Sequence, residues 1–68
     1  MTIDQIKTFA MEAVMQHPPR EVYVRVLDPE HPPITGVLSY AGQNKFRVDT
    51  PLAALFIPYD ETEAVEYR

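Results

Sequence analysis

The sequence predicts a mainly β fold, α+β by count: an N-terminal α-helix followed by a five-stranded, strongly bent antiparallel barrel. Three observations predict it. Helical periodicity is confined to residues 3–17, alternation of period two begins at Glu21, and Gly36 falls inside the second alternating segment, where a strand bends or bulges.

Taken in order, Thr2-Ile3-Asp4-Gln5 has the form of a capping box, in which the Thr2 hydroxyl accepts from the Gln5 amide and the Gln5 side chain reaches back. Ile3, Ile6, Phe9, Ala10, Ala13 and Val14 then share one helical face, with Asp4, Gln5, Thr8, Glu12 and Gln16 opposite. Pro18 and Pro19 end the helix near Gln16 or His17. Met11 and Met15, four residues apart beside the polar arc, form a second apolar patch suited either to a partner or to deeper burial of the helix.

Val22, Val24 and Val26 alternate with Tyr23, Arg25 and Leu27, which predicts a first strand over 21–27. "DPEHPP", residues 28–33, is a loop because its prolines cannot donate to a ladder. Strands two and three are expected at 34–41 and 45–50, with Phe46 and Val48 inward and Lys45, Arg47 and Asp49 outward. The turn between them, Ala41-Gly42-Gln43-Asn44, offers residues that tolerate positive φ. Strands four and five are expected at 53–57 and 63–67, joined by a tight turn from Pro58 to Thr62.

Composition bounds the function. At 68 residues the chain is a single domain, 1–68, of a size that buries only about 60% of its unfolded surface and gains from a partner. There is no cysteine, which removes disulfides and thiolate metal sites and suits a cytoplasmic protein; no apolar run is long enough to span a membrane, and Asp4 and Glu12 argue against a signal peptide. The net charge is −4, and residues 51–68 carry Asp60, Glu61, Glu63 and Glu66 against Arg68 alone. Those carboxylates alternate along a strand and do not converge, so no metal site is expected. Neither His17 nor His31 accompanies a nucleophile, and Ser39 lies in mid-strand, so no catalytic residue, no cofactor and no enzymatic activity are expected.

Gly36-Val37-Leu38, then Gly42-Gln43-Asn44, then Phe46 and Val48, together with Leu55-Phe56-Ile57 running through a short joint into a last strand, resemble the two motifs of the Sm-like (LSm and Hfq) small β-barrel family, a subset of SH3-like barrels. The resemblance covers essentially the whole chain. It implies a cyclic homo-oligomer of five to seven subunits, in which strand four pairs with a neighbour's strand five, and it implies single-stranded RNA as ligand. The chain departs from the family where Gly42 replaces an expected aspartate and where Pro58-Tyr59 replaces a basic pair after strand four.

The candidate RNA-binding residues are Gln43, Asn44, Lys45 and Tyr59, with Arg25 and Arg47 as a basic face. The candidate oligomer contacts are Leu55, Phe56, Ile57, Val65 and Tyr67, since the segment "AALFI" is apolar on both faces with no charge to discourage pairing. Two functions of different class follow. One is a ring-forming Sm-like protein that binds RNA with weak or altered base preference; the other is a protein-interaction or scaffold module, of phage or mobile-element type, that binds no nucleic acid. Gln43-Asn44 and the fold favour the first; the Pro58-Tyr59 joint and the acidic C-terminal run favour the second, because phosphate contact dominates nucleic-acid affinity.

Overall fold

The computed structural model describes residues 1–68. One helix, α1 (Ile3–Ala13), precedes five strands: β1 (Glu21–Val26), β2 (Ile34–Ala41), β3 (Lys45–Asp49), β4 (Ala54–Pro58) and β5 (Thr62–Tyr67). A short 3₁₀ turn, η1 (Tyr59–Glu61), links the last two. The fold is therefore the small, β-rich α+β class that the alternation predicts. The antiparallel sheet runs in the order β4-β3-β2-β1-β5 and stays open, with β4 and β5 as its edges.

The capping box forms as read. Gln5 N–H donates to Thr2 Oγ1 at 3.1 Å, and Thr2 N–H donates to Gln5 Oε1 at 2.9 Å. The helix is shorter than the expected 3–17. After Ala13 the backbone tightens into i to i+3 bonds, Met15 N–H to Glu12 and Gln16 N–H to Ala13, and stops before Pro18. The two prolines set an outer limit to the helix, and the chain leaves it a turn earlier. Met15 consequently lies beyond the helix, so it does not share a helical face with Met11. Both are open to solvent, at 77% and 48% exposure, which excludes deeper burial of the helix as their explanation.

Only Ile6, Ala10 and Ala13 of the helix are buried; Ile3 and Val14, at the ends of the apolar arc, stay exposed. The helix lies against β2, β5 and η1. Its buried residues join Val22, Val24, Ile34, Leu38, Phe46, Val48, Ile57, Tyr59 and Val65 in one core. Alternation in β1 and β3 therefore places the inward residues correctly. No helix is long and apolar enough to cross a membrane.

The strand limits shift by a residue at several ends: Leu27 and Thr50 leave β1 and β3, β4 runs from Ala54 to Pro58, and β5 begins at Thr62. Leu27 leaves the ladder because its N–H bonds the Glu61 carbonyl at 2.9 Å. Thr50 instead organises the β3–β4 turn: its hydroxyl donates to the Ala53 carbonyl at 2.9 Å and accepts from the Leu52 and Ala53 N–H groups. The β2–β3 turn needs no positive φ, contrary to the expectation for Gly42 and Asn44, and no residue in the chain adopts one.

Strand β2 serves two partners, and this is the origin of the bend. Its first half, Ile34 to Val37, pairs with β1, and its second, Val37 to Ala41, pairs with β3. Val37 belongs to both ladders, opposite Glu21 on one side and Asp49 on the other. Gly36 stands at the bend, where a Cβ would collide with the Asp49 carbonyl oxygen and come within 2.8 Å of Val48 Cγ1. A register shift between Leu38 and Tyr40 leaves Ser39 as a bulge that turns the strand further.

Gly36→Ala is expected to lower the unfolding free energy by about 2 kcal/mol, because the obstructing atoms are backbone and core. A Cβ on Gly42 would meet only the ring of Tyr40, which is half exposed and free to swing aside. Gly42→Ala should therefore cost less than about 1 kcal/mol. Urea denaturation of the two variants measures the contrast.

Candidate functional site

The residues read as an RNA surface lie in different surroundings. Tyr59 is a core residue, 2% exposed. Its ring stacks on Phe46 at 5.5 Å, its hydroxyl donates to the Gly42 carbonyl at 2.8 Å, and its N–H donates to the Asn44 carbonyl at 3.0 Å. The side chain is a strut that ties η1 to the β2–β3 turn, so it presents no face on which a base could stack. Burial, and secondarily nearby Tyr40, raises its phenol above the ordinary 10.0, which keeps it a neutral donor.

The basic residues are engaged locally. Arg47 Nε donates to Asp49 Oδ1 at 2.7 Å, and Arg25 lies 3.9 Å from Glu63. Lys45 Nζ and the Arg47 guanidinium sit over the Phe56 ring, at 5.2 and 6.0 Å from its centroid. Gln43 and Asn44 are exposed and line a shallow hollow with Ile3, Pro58, Tyr59 and Asp60. Its one charged residue, Asp60, repels phosphate. No three of the His, Asp and Glu side chains converge as a metal site.

The residues read as oligomer contacts divide. Phe56 is exposed and Leu55 half-buried. Ile57 and Val65 point into their own core, at 5% and 3% exposure. Tyr67 packs on Phe9 at 4.7 Å beneath the Arg20 guanidinium. The side chains of these last three are committed to their own molecule.

What remains open is the edge of β4. Tyr59 N–H points to Asn44, on the β3 side. N–H direction alternates along a strand, so those of Leu55 and Ile57 also face β3, while those of Ala54 and Phe56 face away from it. The register agrees, with Leu55 opposite Val48 and Ile57 opposite Phe46. The free donors look onto a groove of about 330 Å³ at the seam where the sheet fails to close. Leu55, Phe56, Ile57 and Pro58 line it on the β4 side; Val26, Leu27, Ile34, Asp28, His31 and Glu61 line it from β1, the β1–β2 connection, β2 and η1. Leu27 and Phe56 are large apolar side chains more than half exposed at its rim.

The other edge is different. Met1 lies across β5, its nitrogen donating to the Glu63 carbonyl at 3.2 Å and its Sδ receiving the Val65 N–H at 3.5 Å. Two backbone groups of β5 are thereby occupied. Sequence reasoning found the apolar edge but missed the groove, whose walls meet only after β2 bends. The one local signal was the exposed Leu27 preceding "DPEHPP".

No family model, no curated protein and no solved structure matches this chain.

Tyr59→Phe should lower stability by about 1 kcal/mol in urea denaturation, the usual value of one hydrogen bond. A second expectation concerns acid. The hydrogen bond from Arg47, then that from Ser39, holds the Asp49 carboxyl below its ordinary 3.8. A carboxyl depressed in the folded state contributes stability above its unfolded value, and that contribution fades as pH falls through the folded value. In Arg47→Met the Asp49 carboxyl, followed by NMR, should titrate closer to 3.8. The stability difference between variant and wild type that this carboxyl causes should disappear in acid.

Proposed function

We propose that the chain is a protein-interaction module that receives an added β-strand along the free edge of β4. One observation carries this reading: β4 is an uncharged, apolar edge with outward donors at Ala54 and Phe56, facing a groove. An edge of that kind invites main-chain pairing, and alternate side chains of the incoming strand find the groove. The engaged basic residues and the acidic hollow at Gln43 and Asn44 favour a protein partner over single-stranded RNA.

A second reading takes the incoming strand from another copy of the chain, as in the cyclic assemblies of Sm-like proteins. Its support is the β4 edge itself, which carries no charge to keep a second copy's strand away. Met1 must leave β5 for a β4–β5 junction to form.

Phe56→Pro removes one edge donor and leaves the bonds to β3 in place, since the Phe56 N–H faces outward. Sedimentation and peptide-binding titrations should show that this variant, with an unchanged circular dichroism spectrum, neither self-associates nor receives a strand. Thr8→Lys, on the exposed side of the helix, should match the wild type in both. Equal behaviour of Phe56→Pro and wild type would sink the reading.

A further inference from the structure

The groove beside β4 is lined by charge as well as by apolar surface. Val26, Ile34, Leu55 and Ile57 make its floor apolar, while Asp28 and Glu61 stand at its margin. Neither carboxylate has an ion-pair partner: the ion pairs of the chain are Arg25 with Glu63, Arg47 with Asp49, and Arg68 with Glu21. Asp28 is held in place, because one of its oxygens accepts the Glu30 N–H at 3.0 Å. Glu61 is fixed at its backbone, whose carbonyl accepts from Leu27. His31, the remaining polar side chain at the margin, is turned to the Pro32 carbonyl at 2.7 Å through Nδ1.

A strand added to β4 sends alternate side chains to opposite faces. The outward set passes beside Phe56, Lys45 and Arg47, where neutral or acidic residues fit. The groove-facing set meets an apolar floor and two unpaired carboxylates. A long basic side chain suits that combination, with its methylene stem on the floor and its cationic head at the margin. A second copy of the chain does not supply this, since the inward residues of its β5, Val65 and Tyr67, are already packed in their own core.

We infer that the groove takes an extended segment of another protein in which an apolar residue and an arginine or lysine, two positions apart, face the same side. Asp28 and Glu61 are the specificity-determining residues of this surface. The inference rests on the strand-accepting reading of β4.

The test uses two capped, fluorescein-labelled peptides that share a threonine-bearing outward face. One alternates it with valine and arginine, the other with valine and glutamate, and binding is read by fluorescence anisotropy at low and at physiological salt. The arginine peptide should bind at least about tenfold more tightly, with the difference shrinking as salt rises. The double variant Asp28→Asn, Glu61→Gln keeps the Asp28 turn acceptor and should lose about tenfold for the arginine peptide while binding the glutamate peptide more tightly than the wild type does. Phe56→Pro should abolish binding of both.

Equal affinity for the two peptides, with no effect of the double variant, would overturn the charge selection and leave the strand-accepting reading standing. Binding of neither peptide, combined with self-association that Phe56→Pro destroys, would assign the edge to a second copy. Binding of neither, with a monomer throughout, would overturn both.

Discussion

The close approach of the β2 and β3 backbones at Gly36 is the constraint on which the rest of the molecule depends. With hydrogen in place of a side chain, β2 can bend over the Asp49 carbonyl and give its two halves to two partners. A sheet folded on itself in this way makes a core from chains too short to make one flat. Twelve apolar residues, drawn from the helix, η1 and every strand, then share a single cluster. The same bend leaves the seam, because a sheet of only five strands reaches around far enough to bring β4 opposite the end of β1 but not far enough to bond it.

The parts that were legible in the sequence are those fixed by local periodicity. Val22 and Val24, and Phe46 and Val48, alternate with polar neighbours, and a half-buried strand admits only one assignment of their faces. Thr2 and Gln5 form their capping box within four residues. The glycine bend was also legible, since a glycine inside an alternating segment has few other uses. The helix end was not, because Pro18 and Pro19 forbid helix beyond a point without saying where the last full turn closes.

The candidate site was hidden for a different reason. Tyr59 looks like a surface aromatic in a joint between strands, yet its burial follows from meeting Phe46 and the Gly42 carbonyl, residues far from it in sequence. Ile57 and Val65 lie in the edge strands, but their side chains belong to the interior once the edges curl inward. The groove draws its walls from β1, the β1–β2 connection, β2, β4 and η1, and apart from Leu27 before the proline-rich loop no residue carries a local mark of it. Function at this size is written in the tertiary arrangement, since the walls of the groove come from segments far apart in the chain.

The two edges of the sheet are unequal, and this gives association a direction. β4 presents bare donors, whereas Met1 lies across Glu63 and Val65 of β5. On the strand-accepting proposal, a molecule built so would have a valence of one, receiving a strand without offering one in return. Open-ended stacking, the hazard of any small sheet with two bare margins, is thereby interrupted at each copy. Removing Met1 from its place on β5 would turn a receiver into a link.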